Sequence, residues 1–214
     1  MTAHDDFETE AMPGLPEPLP PGERLLWQGS PDWRALARRA FHVRKVALYF
    51  GLLALWFVAE GIHDGLAAAT LAKTLGTLAA LAAGAVGILL LLAWATAHEA
   101  IYTVTDKRVV LRFGVALRLT LNVPFSALQA AALKVYPDGT GDIALRVPEK
   151  DKISYVVLWP HARPWRHRAP QIALRCVSHA EDVAELISSQ VEREVEGEAQ
   201  EAQPAYLPLR AATS

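Results

Sequence analysis

The stretch Thr74-Leu75-Gly76-Thr77-Leu78-Ala79-Ala80-Leu81-Ala82-Ala83-Gly84-Ala85-Val86-Gly87-Ile88-Leu89-Leu90-Leu91-Leu92-Ala93-Trp94-Ala95-Thr96-Ala97 carries no charged side chain. As an α-helix rising ~1.5 Å per residue, it is long enough to cross a hydrocarbon core of ~30 Å with some tilt. It is also dense in Ala and Gly. Ala80-x-x-x-Gly84 and Ala83-x-x-x-Gly87 have the spacing that lets helix backbones approach closely in lipid. Ala80, Ala83, Gly84 and Gly87 therefore form a candidate surface for packing on a partner helix. The plainer reading is an Ala-rich span with no partner.

Working outward, a second apolar run occupies Val46 to Ile62, with Glu60 its one charge. At roughly 25 Å it is slightly short of the bilayer core. Arg44 and Lys45 can snorkel at one end, and Glu60 can sit at the other interface. Residues 63–73 are left as a turn, so 46–62 and 74–97 are expected to form an antiparallel transmembrane hairpin. Arg34, Arg38, Arg39, Arg44 and Lys45 precede the hairpin, and Lys107, Arg108 and Arg112 follow it. The turn holds only Lys73. By the excess of bases on cytoplasmic segments, both termini are expected in the cytoplasm. Trp33, Trp56 and Trp94 fit aromatic belts at the interfaces.

Whole-chain averages hide this segregation, since the apolar content is 52% and the net charge −2. Residues 1–22 are acidic, then proline-rich, and read as a flexible arm. They lack the bases and apolar run of a secretory signal. Residues 23–45 form a basic lead-in that opens with a short strand around Leu25 to Gly29. The single cysteine, Cys176, excludes a disulfide framework or a Cys-based zinc site within one chain, and reads as a small buried hydrophobe.

After His98 the period changes from helical to alternating. Ile101–Val104, Arg108–Phe113, Leu117–Leu121, Ala131–Tyr136, Ile143–Val147, Ile153–Trp159 and Gln171–Val177 make about seven short strands. Turn signals separate them, the strongest being Pro137-Asp138-Gly139-Thr140-Gly141. This spacing predicts a β-sandwich or barrel over residues 98–196 rather than a parallel sheet. Ser178 with Glu181 fits a capping box. Val183, Leu186, Ile187 and Val191 then recur at helical spacing, predicting a C-terminal helix of about 15 residues that caps the β domain. Residues 197–214 read as a disordered tail.

Strands followed by one capping helix are the layout of a pleckstrin-homology (PH) domain. Tyr102-Thr103-Val104-Thr105-Asp106-Lys107-Arg108-Val109-Val110-Leu111-Arg112-Phe113-Gly114, with Val123-Pro124-Phe125, resembles the bacterial PH-like domain found beside membrane spans. Further upstream, Gly22-Glu23-Arg24-Leu25-Leu26-Trp27-Gln28-Gly29-Ser30-Pro31-Asp32-Trp33 and Ala40-Phe41-His42-Val43-Arg44-Lys45-Val46-Ala47-Leu48-Tyr49-Phe50, with Pro13-Gly14-Leu15-Pro16, are similar to the PuhB family of purple bacteria. These proteins assemble photosynthetic complexes, and the likeness spans residues 4 to 190 or so. It implies a membrane α + β chain in the photosynthetic inner membrane, and a non-enzymatic role in assembling the reaction centre and core antenna. The partners implied are reaction-centre subunits, such as the H subunit or the nascent core complex. Self-association through the small-residue face is a further expectation. The alternative function is a membrane-anchored PH-like sensor of lipid or envelope stress.

No catalytic motif, Gly-rich phosphate loop or zinc-type His pattern occurs, so no enzyme activity, metal or cofactor is expected. His161 and His167 flank Arg163-Pro164-Trp165-Arg166 without an acid or cysteine close in sequence. Arg163, Trp165, Arg166 and Arg168 are read as a basic–aromatic loop for anionic lipid or an acidic partner, or else as a solvated loop. His98 is read as an interfacial histidine, with a bacteriochlorophyll-magnesium ligand as the other reading.

Overall fold

The computed structural model describes residues 19–115, 118–148, 154–164 and 170–201. The lead-in contributes strand β1 (Leu25–Gly29) and a short helix α1 (Trp33–Arg39), capped by the Asp32 carboxylate, which accepts from the Ala35 amide at 2.6 Å. Two long helices follow, α2 (Val43–His63) and α3 (Ala68–Glu99). Both are longer than their apolar runs, and the linker shrinks to residues 64–67. Both are apolar enough to cross a membrane, and almost none of either is buried inside the chain. Leu48, Leu52, Trp56, Leu81, Ile88 and Leu91 stand exposed along them. A contiguous apolar surface of that extent is foreign to a water-facing monomer and natural in lipid.

Strands β2 (Ile101–Thr105), β3 (Arg108–Phe113) and β4 (Leu119–Pro124) then add to β1 in a four-stranded antiparallel sheet. A 3₁₀ turn at Phe125–Ala127 leads to β5 (Ala130–Val135), β6 (Thr140–Arg146) and β7 (Ile172–Ser178), a second antiparallel sheet. The sheets do not close into a barrel. Helix α5 (Ala180–Glu201) caps them. The core lies between the sheets and under α5, with Val104, Val109, Leu111, Ile143, Leu145, Leu174 and Ile187 fully buried.

Among the described residues there are seven strands: the expected lead-in strand and six of those expected after His98. Residues 155–158, inside the expected strand Ile153–Trp159, form a single helical turn, α4 (Tyr155–Leu158). Only Leu158 of that turn is buried, so the apolar run does not serve the sheet. The expected lead-in strand β1 instead edges the first sheet, its Gly29 opposite Tyr102 of β2. The helical hairpin is thus an insertion between two paired neighbouring strands. The C-terminal helix starts at Ala180 rather than directly after Ser178, which ends β7. His179 makes the corner in the left-handed region at φ 53°. The helix also runs past residue 196, into what composition assigned to the tail. The N-terminal arm up to residue 18 and the tail from 202 lie outside the described residues.

Candidate functional site

The domain grips the hairpin through an irregularity in β7. Between the pairs Gly141–Val177 and Ile143–Leu174, β7 supplies Arg175 and Cys176 against the single residue Asp142. This is a bulge, and Cys176 sits in it at φ 52°. The extra residue leaves ladder groups to be satisfied elsewhere. The Cys176 amide donates to Asp142 Oδ1 at 2.9 Å. The Cys176 carbonyl accepts from the Asp32 amide, also at 2.9 Å, which fixes the start of α1. The Cys176 side chain is buried with Ala35, Leu36, Ala37 and Phe41 of the lead-in and Ala93 and Ala97 of α3. Burial first, then the Asp142 charge, pushes its thiol up to about 11, so it stays a protonated apolar filler at neutral pH. The last turns of α3 are therefore part of the domain.

Charge reinforces the junction. Arg38 and Arg39 of α1 both reach Asp138 in the β5–β6 turn, at 2.8 and 2.7 Å. Arg39 also donates to the Thr140 hydroxyl and lies 3.7 Å over the Tyr136 ring. The hydrogen bonds from Arg39 and Thr140 hold the Asp138 carboxyl well below the usual carboxylate range. Behind it, Asp142 pairs with Arg175 at 3.1 Å and accepts from the Tyr136 hydroxyl at 2.7 Å. Burial and that carboxylate push the Tyr136 hydroxyl up. Deeper still, the Arg175 amide donates to the Tyr102 hydroxyl, which faces His161 Nδ1 at 2.7 Å.

The hairpin presents two apolar surfaces. Between the helices runs a cleft of about 540 Å³, with Ala47, Gly51 and Ala54 on α2 facing Leu78, Ala82 and Val86 on α3. On the other side, α3 is uncovered. All four small-residue positions, Ala80, Ala83, Gly84 and Gly87, are exposed, and Ala83 also lines the cleft. A Cβ added at Gly84 or Gly87 would meet nothing within 4 Å. Ala83 thus borders the cleft at the edge of the strip that Ala80, Gly84 and Gly87 form, and α2 does not cover the glycines.

Of the expected basic–aromatic loop, only Arg163 is described. It is half-buried, donating to the Gln171 side chain at 2.9 Å, and so is partly committed to the fold. Trp165, Arg166, His167 and Arg168 lie outside the described residues. His161 is fully buried rather than exposed, because it follows α4 into the core. His98 is exposed and stacked on Trp94 at 5.4 Å. Among the described residues no group of three or more His, Cys, Asp or Glu is placed to hold a metal. Sequence reasoning missed the junction. Its partners are about a hundred residues apart, and the one local signal was Asp32 at the head of a short apolar run.

Comparison with known proteins agrees with this architecture. The model of the bacterial PH domain family matches residues 50–191. Over 189 residues, 88% of each chain, the protein is 44% identical to a 23.7 kDa protein in the puhA 5′ region of Rhodobacter capsulatus. No solved structure matches it. The chain belongs to the bacterial PH domain family, and its puhA-region homologue bears out the resemblance to the PuhB family.

Proposed function

We propose that the protein is a non-enzymatic assembly factor that holds membrane subunits of the photosynthetic reaction centre or core antenna while they are put together. The observation that carries this reading is the homologue's place in the puhA region, with identity across most of both chains. The geometry supplies a means. Gly84 and Gly87 leave α3 open to close approach by another helix. The junction at Cys176 ties that helix to the PH-like domain, so a partner bound in the membrane and one bound by the domain are held in fixed relation. Pairing of β1 with β2 supports a hairpin whose two ends lie on one side of the bilayer. The bases of the lead-in favour the cytoplasm for that side.

Deleting the gene in a phototrophic host should lower reaction-centre levels, and wild-type levels in that strain would refute the role. For the surface, Gly84→Leu should abolish co-purification with core subunits while the protein still accumulates in the membrane. Unchanged co-purification would exclude α3 as the gripping helix.

A further inference from the structure

Strand β5 is an open edge of the second sheet. The opposite edge, β7, is covered by Ala162, which bridges to Ile172, and by the Arg163 amide, which donates to the Gln171 carbonyl. β5 has no such cover among the described residues, and it alone of the seven strands is exposed at every position. The Tyr136 amide donates to the Thr140 carbonyl at 2.9 Å, which sets the alternation of the β5–β6 ladder. Ala131, Leu133 and Val135 therefore turn their N–H and C=O groups away from β6. An added strand completes such a ladder, and proteins commonly blunt or cover edges of this kind.

The two faces of the edge select the strand that fits. Leu133 opposes the buried Ile143, so Leu133 and Val135 lie on the core side, where each is still 42% exposed. On the other face, Lys134 and Arg163 border a hollow of about 200 Å³. Lys134 rests over the Tyr136 ring and Arg163 donates to Gln171, so neither is neutralised by these contacts. Asp142, in the same hollow, is held by Arg175 and the Tyr136 hydroxyl. The complement is a strand with acids at alternate positions and less polar residues between them. Asp6-Phe7-Glu8-Thr9-Glu10-Ala11-Met12 has that pattern, and Pro13 ends it. The sequence after Glu201 contains no acid.

Reach and direction agree. Glu23 pairs with Arg108 at 2.8 Å, and Arg108 opposes Pro124, just ahead of the turn that leads into β5. The N-terminal arm thus joins the domain near the start of β5, and residues 13–22 can bridge roughly 30 Å when extended. Laid along the edge from that end, the arm runs antiparallel to β5. Pairing Ala11, Thr9 and Phe7 with Ala131, Leu133 and Val135 puts all three on the core side and sets Glu8 opposite Lys134. Glu10 then opposes Ala132, which shares the hollow with Arg163. A slip of one residue would turn the acids to the core side. We propose that Asp6–Met12 completes the second sheet as an antiparallel strand on β5, in this register. The inference is independent of the assembly role.

The test uses the full chain in mild detergent. Amide hydrogen exchange should find Leu133 and Val135 protected, and Glu8→Lys should speed their exchange by about tenfold or more while leaving β6 unchanged. Adding Lys134→Glu to Glu8→Lys should restore the protection. Free-peptide rates at both amides in the wild type, or no change in Glu8→Lys, would overturn the proposal. The register is read with cysteine pairs, leaving buried Cys176 in place. Glu10→Cys with Ala132→Cys should close an intramolecular disulfide on mild oxidation, whereas Ala11→Cys with Ala132→Cys, on opposite faces, should not. Equal closure of both pairs would refute the register. A disulfide formed only between two molecules would refute the placement within one chain and assign the edge to a second copy.

Discussion

His161 offers a direct test of how the polar interior is built. The Tyr102 hydroxyl accepts from the Arg175 amide at 3.2 Å and lies 2.7 Å from His161 Nδ1, with its own proton free to be donated there. In that arrangement Nδ1 accepts and the ring is neutral. A second proton would have to enter at Nδ1, against Tyr102 and near the Arg175 charge, with Phe113 packed 4.8 Å away. Burial first, and then Arg175, lowers the His161 pKa to about 3. The unfolded chain, with an ordinary value near 6.5, takes up that proton far earlier. Between those two values the unfolded state binds more protons, so stability must rise with pH across the window and fall on acidification. From pH 7 to pH 5 the difference works out at about 2 kcal/mol, at 1.36 kcal/mol per unit. The comparison is with His161→Asn, which keeps a polar group near the Nδ1 position and cannot titrate. Its lost ring volume adds a cost independent of pH. Chemical unfolding in detergent, followed by tryptophan fluorescence, should give the wild type the steeper loss between pH 7 and 5. Parallel curves would refute the buried neutral imidazole.

Three further expectations follow from the same interior. Gly141→Ala puts a Cβ 2.5 Å from Ala180 Cβ and 2.9 Å from the Lys134 carbonyl, so it should destabilise by about 1–3 kcal/mol in the same unfolding assay. Asp142→Asn leaves the Arg175 guanidinium buried without its counter-charge and should cost about 3–5 kcal/mol. Asp138→Asn should lower stability by an amount that is constant from pH 7 down to about pH 4. The depressed Asp138 pKa means its contribution is complete above the ordinary value of 3.8 and is lost only as pH falls below it. A difference that vanishes already at pH 5 would mean the Arg39 clasp does not form.

Much of this architecture is legible in residue order because it depends on local periodicity. The uncharged run at 74–97 and the alternation from Ile101 onward need no knowledge of partners. The errors fall where burial, rather than pattern, decides. Ile153 to Trp159 is as apolar as a strand, but among its described residues the side chains mostly face outward and Tyr155–Leu158 coils. Trp33 to Arg39 reads as a basic stretch, because only Ala35, Leu36 and Ala37 mark it as buried, too few to show a period. The small-residue spacing located the open positions Ala80, Gly84 and Gly87, yet could not say that Ala83 also borders the cleft to α2. The junction was invisible, since nothing near Arg39 announces Asp138 and nothing near Cys176 announces a bulge.

The insertion of the hairpin between β1 and β2 also governs the order of events during synthesis. Strand β1 leaves the ribosome first, and its partner emerges only after both long helices have been made. Until then β1 has no ladder to join, and the four-stranded sheet lacks an edge. If the helices enter the bilayer as a pair, β1 and β2 return to the same side and the sheet can close. If only one crosses, the strands are parted by the membrane and no PH-like domain can form. On the proposed topology the finished sheet is thus a built-in record of correct insertion, since only a chain whose two helices both crossed can close it.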